Sequence, residues 1–112
     1  MTELRLCRRD DLTDGDSRGF DPQGAGYDTL FAVRRGDDVR VYRDVCPHQG
    51  SQMAWRRHAY LNAARDRIVC HAHGAQFEID SGVCVLGPCL GQSLTPVPHR
   101  IDAEGNILLF PG

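Results

Sequence analysis

An all-β fold is the prediction for this chain, and three observations carry it. Short runs rich in β-branched and aromatic residues recur along the sequence: LFAVRR at 30–35, DVRVYRD at 38–44, RIVC at 67–70, QFEID at 76–80 and NILLF at 106–110. Turn signals fall between them, at Arg35-Gly36-Asp37, Ser81-Gly82 and Glu104-Gly105-Asn106. No sustained 3.6-residue period competes with these runs, and there is no internal repeat. The expected architecture is a single domain over residues 1–112 built of short antiparallel strands, as a sandwich or small barrel.

The elements follow in order. Cys7 lies in a first strand and reads as a small buried hydrophobe. Residues 10–28, rich in Asp and Gly with little apolar content, read as a solvated loop, with an acidic cation site as the weaker reading. LFAVRRGDDVRVYRD forms one hairpin that turns at Arg35-Gly36-Asp37. Residues 52–67 read as an inserted hairpin with its turn near Asn62-Ala63-Ala64. Trp55 and Tyr60 pack that hairpin against the domain, and Arg56, Arg57, Arg65 and Arg67 give it a basic face, either solvated or used for docking.

Composition narrows the function classes. Formal net charge is −2, so no strong field favours nucleic acid or an anionic membrane. All 13 basic residues are Arg. No run approaches the roughly 18 apolar residues of a membrane span, and MTELRLCRRDDL lacks the apolar centre of a signal peptide. The expected location is therefore the cytoplasm, where five cysteines imply metal binding or free thiols before disulfides.

Two segments concentrate metal-binding side chains. In CPHQGS, at 46–51, Cys46 and His48 are two apart and project to one side of an extended loop. In CHAHGAQF, at 70–77, Cys70 and His73 make the matching pair, with His71 as bystander. Each loop then supplies one thiolate and one imidazole. A glycine follows each histidine, Gly50 and Gly74, letting backbone approach a bulky ligand. Structural zinc sites put their cysteines in one knuckle and their histidines in the other. Mixing within each loop favours a two-iron cluster, although spacing alone leaves zinc open.

C-P-H-x-G, then C-x-x-H-G-A-x-F, then SGVCVLGP and the closing LTPVPHRIDAEGNILLF resemble the Rieske [2Fe–2S] ferredoxins over roughly residues 29–110. The resemblance implies a base of antiparallel strands carrying a small cluster-binding subdomain of two loops. It implies that Cys46 and Cys70 bind one iron of a [2Fe–2S] cluster while His48 and His73 bind the other, and that Gly87-Pro88 belongs to a loop shielding the cluster. The 21 residues between His48 and Cys70 exceed the family's usual gap, and residues 1–28 match only loosely. High-potential family members carry two bridging cysteines, where this chain has Ser51 and Ala72, and Ser and Tyr donors, where it has Ala75 and Phe77.

Charge explains the chemistry such a ligand set supports. Two ferric ions, two sulfides and four thiolates carry a double negative charge; exchanging two thiolates for neutral imidazoles brings it to zero. An added electron is then easier to accommodate, and the potential rises from about −400 mV into a band of roughly −150 to +300 mV. With every iron position filled, the expected role is a one-electron carrier rather than an enzyme. Its expected partners are a flavin reductase and a terminal oxygenase or reductase. A small subunit of a larger complex, such as a nitrite reductase, and a zinc-stabilised binding module are the alternatives. Cys84 and Cys89 bracket VLGP as a disulfide or as thiols, and a reducing compartment favours thiols. His58 and His99 read as surface residues.

Overall fold

The computed structural model describes residues 4–47, 52–54, 58–71 and 74–110. Among these residues there are nine strands: β1 (Leu4–Arg8), β2 (Ser17–Phe20), β3 (Leu30–Arg35), β4 (Asp38–Arg43), β5 (Arg67–Cys70), β6 (Ala75–Glu78), β7 (Cys84–Leu86), β8 (His99–Ile101) and β9 (Asn106–Leu109), with a 3₁₀ turn at Arg9–Asp11. They form three antiparallel three-stranded sheets, ordered β1-β9-β8, β2-β3-β4 and β5-β6-β7. The all-β antiparallel reading holds.

The sheet β2-β3-β4 is the middle layer, and its sequence shows why. Successive side chains of a strand point to opposite faces, and in β3 both faces are apolar. Phe31 and Val33 face one core with Tyr42, Met53, Tyr60, Ile68, Phe77 and Leu94. Ala32 faces the other, with Val39, Val41, Ile107 and Leu109. The second core joins the middle sheet to β1-β9-β8, and Cys7 is buried in it. Burial pushes the Cys7 thiol above its ordinary pKa. The first core joins the middle sheet to β5-β6-β7.

The hairpin β3–β4 turns as expected, with Leu30 opposite Arg43 and Arg35 opposite Asp38, and Gly36 takes the left-handed conformation of the turn at φ 62°. Residues 10–28 depart from expectation. Ser17–Phe20 is a strand, paired with β3 from Ser17↔Val33 to Phe20↔Leu30. Small polar residues disguise it. Ser17 is buried because its Oγ donates to the His58 carbonyl at 2.8 Å. Gly19 is required because a Cβ there would collide with the Asp28 carboxylate and the Tyr60 hydroxyl. His58 belongs to the same junction rather than to the open surface, its Nδ1 accepting the Gly19 N–H at 2.9 Å. His99 likewise is half-buried, its ring nitrogens 2.8 and 3.2 Å from the Val97 and Val39 carbonyls.

Within residues 52–67, the turn falls where the sequence places it. Arg65 N–H donates to Asn62 O, and Asn62 Oδ1 accepts from Asp66 and Arg67 N–H. The hairpin is nevertheless not an appendage. Its returning arm is β5 itself, paired through Leu61↔Ile68 and Val69 N–H to Tyr60 O. Trp55, Arg56 and Arg57 lie outside the described residues.

Candidate metal centre

Two of the four candidate ligands, Cys46 and Cys70, are described; His48 and His73 lie outside the described residues, as do Ser51 and Ala72. Cys46 follows β4 at the mouth of the first loop, 1% exposed, and Cys70 ends β5, 0% exposed. Both belong to the core between the middle sheet and β5-β6-β7. None of the chain's five cysteines is in a disulfide.

A buried polar relay ties the two loops together. Asp44, two residues before Cys46 and 4% exposed, accepts the Met53 N–H on Oδ1 at 2.7 Å and the Tyr60 hydroxyl on Oδ2 at 2.7 Å. The Met53 carbonyl in turn accepts the His71 N–H at 2.8 Å. One backbone unit thus links the entry of the first loop to the residue after Cys70. Burial raises the Asp44 carboxyl above the usual range; the bonds from Met53 and Tyr60 pull it back down, and Asp28 pushes it up again. Tyr60 is fixed from the other side by Phe31, stacked at 4.2 Å between centroids.

The second loop is the tip of the β5–β6 hairpin. Cys70 stands opposite Ala75, and the Gly74 N–H donates to the Cys70 carbonyl at 2.9 Å, closing a tight turn with Gly74 at φ 67°. His71 is exposed beside it. The proline loop closes over this tip: a Cβ on Gly87 would lie 2.8 Å from Ala75 Cα. The second loop and the proline loop therefore touch backbone to backbone. Around them Val45, Val85, Leu86 and Leu90 are exposed, at 38–68%.

Two buried thiols on separate loops tied by one relay, with a glycine of a third loop laid on the second, are the donors and the enclosure that a thiolate-ligated cluster needs. Asp44, Met53 and Tyr60 were not singled out from the sequence as site residues. Asp44 follows a strand directly and reads as a strand end, so only its burial reveals its role.

The Rieske [2Fe-2S] domain model matches residues 2–101. This chain belongs to the Rieske [2Fe–2S] domain family, and its prosthetic group is a [2Fe–2S] cluster. No curated protein matches it in sequence. Among solved structures, the ferredoxin of carbazole 1,9a-dioxygenase from Nocardioides aromaticivorans IC177 is similar over 100% of both chains, at 25% identity and a TM-score of 0.76. The Sphingomonas yanoikuyae B1 ferredoxin is similar over 98% of this chain and 100% of its own, at 21% identity and a TM-score of 0.70. A complex of reduced oxygenase and oxidised ferredoxin in carbazole 1,9a-dioxygenase contains a chain similar over 96% of this one and 91% of its own, at 23% identity and a TM-score of 0.71. The class is thus a Rieske protein of ferredoxin type, an electron carrier. Among the described residues no helix is long and apolar enough to cross a membrane.

Proposed function

We propose that this chain is a cytoplasmic one-electron carrier, reduced by a flavin reductase and oxidised by a terminal oxygenase, with no catalytic site of its own. In this reading Cys46 and Cys70 hold one iron of the cluster, and His48 and His73 the other. The cluster supplies reversible one-electron chemistry when bound. The chain supplies the rest: buried thiols excluded from water, a relay through Asp44 and Met53 that fixes their separation, and a cover loop. The observation that carries the reading is the exposed apolar set Val45, Val85, Leu86 and Leu90 beside those loops. An apolar rim at the redox end is what a transient protein partner would cover. The similar chain in complex with an oxygenase supports a partner of that class.

The test is spectroscopic. Purified protein should be brown with a Rieske-type EPR signal. Cys46→Ala, His48→Ala, Cys70→Ala and His73→Ala should each abolish or convert that signal, and His71→Ala should keep it. A colourless His71→Ala beside an intact His73→Ala would overturn the pairing. Reconstitution with a flavin reductase and a Rieske oxygenase should give electron transfer that weakens in Leu86→Asp and Leu90→Asp.

A further inference from the structure

Between positions 84 and 93 only two side chains are buried, and both are cysteines. Val85 through Pro88 are all exposed, and so are Leu90 through Ser93. Cys84, 1% exposed, and Cys89, 0% exposed, therefore anchor the proline loop in the core. Their sulfurs lie 3.1 Å apart, Cys89 Sγ donating to Cys84 Sγ. Cys84 Sγ donates onward to the Leu86 carbonyl at 3.3 Å. Backbone bonds frame the pair: Cys84 N–H to Gln92 O at 2.7 Å, Gly91 N–H to Cys84 O at 3.1 Å and Gln92 N–H to Cys89 O at 2.8 Å. A disulfide needs about 2.05 Å between sulfurs, so roughly an ångström of side-chain movement separates contact from covalent bond.

We propose that Cys84 and Cys89 form a thiol–disulfide modification site, which a low-molecular-weight disulfide converts to an internal bridge closing the proline loop onto the start of β7. The Cys84 sulfur attacks one sulfur of the small disulfide; a Cys84–small-thiol bond forms, the small disulfide bond breaks, and the first small thiol leaves with the Cys84 proton. The Cys89 sulfur then attacks Cys84; the Cys84–Cys89 bond forms and the second small thiol leaves with the Cys89 proton. The two thiols are oxidised and one small disulfide is reduced to two thiols. The Cys89 S–H donates to the Cys84 sulfur, which supports negative charge on Cys84 and suits it to the first attack. Bridging removes both S–H donors, including the one on the Leu86 carbonyl. It fixes the loop that presents Val85, Leu86 and Leu90 to a partner. Cys7 lies in the other core and serves as an internal control. The proposal stands whether or not the carrier reading does, since it concerns these two sulfurs alone.

The test uses cluster-loaded protein equilibrated across a series of oxidised-to-reduced glutathione ratios, denatured in acid, alkylated and analysed by mass spectrometry. The expected result is loss of two hydrogens and of two alkylation sites. A Cys84–Cys89 link is found in the fragments, Cys7 stays alkylated, the visible spectrum persists, and dithiothreitol reverses the change. Cys89→Ser should trap one glutathione on Cys84, and Cys84→Ser should trap none on Cys89. Full alkylation at the most oxidising ratio, a stable glutathione adduct on wild type, or a link between other cysteines would each overturn the proposal. If either variant fails to fold, the wild-type measurement decides alone.

Discussion

The two cores on either side of the middle sheet are built on different principles. Toward β1-β9-β8 the packing is apolar and mostly aliphatic: Val39, Val41, Ile107 and Leu109 with Cys7, Leu12 and Phe20. Toward β5-β6-β7 it includes four buried thiols, a stacked Phe31–Tyr60 pair and a buried carboxyl whose oxygens take bonds from Met53 and Tyr60. Apolar packing is non-directional and tolerates exchange of similar shapes. Hydrogen bonds fix distance and angle but are costly to leave half-made. The base thus provides stability, while the cluster side provides position.

Removing Asp44 breaks this contrast most severely. Asp44→Ala leaves the Met53 N–H and the Tyr60 hydroxyl without their acceptor, and should cost about 2–4 kcal/mol, with cluster loss exceeding that of any base substitution of equal cost. Denaturant unfolding alongside the visible spectrum measures both. The carboxyl also has a signed pH dependence. Its pKa is raised by burial, so its contribution is fully present below the unfolded value near 3.8 and declines as pH rises through the higher folded value. Asp44→Asn should flatten the pH dependence of Tm across that interval.

Ile107→Val tests the other core, at an expected cost of about 0.5–1.5 kcal/mol with an unchanged EPR spectrum. A spectral change on that substitution would mean the two cores are coupled more tightly than the layering implies.

The potential sharpens the comparison. Ala75 and Phe77 are both 0% exposed and offer no hydroxyl. Donors aimed at cluster sulfurs stabilise the reduced form, so the midpoint should lie at about −150 to 0 mV, the lower part of the Rieske band. Ala75→Ser with Phe77→Tyr should raise it in protein-film voltammetry. A wild-type value well above +100 mV, inside that same band, would contradict the reading.

Salt should have the smallest effect. Arg65 already pairs with Asp16 at 3.7 Å, which reduces its value as a docking charge. Raising ionic strength toward 1 M, where the Debye length is about 3 Å, should slow electron transfer to the extent that Arg56, Arg57 and Arg67 guide docking. Arg56→Glu with Arg57→Glu at low salt should reproduce that loss.

Local signals in the sequence determined a good deal. Period-two runs with turn residues between them gave β3, β4, β5, β6 and β9 and the turn at Gly36. Paired Cys-x-His and Cys-x-x-His spacings gave the candidate ligands, because metal donors must sit close in sequence to share a loop. Only the tertiary structure revealed β2, where Ser17 and Gly19 are buried by fitting specific partners rather than by being apolar. The same holds for Asp44, and for the 3.1 Å contact between Cys84 and Cys89, which the sequence leaves open as disulfide or thiols. A carboxylate at a strand end reads as solvated, and two cysteines five apart are within bonding reach or not according to how the chain between them turns. Such contacts depend on which neighbours the fold brings, and no window of sequence contains both sides of them.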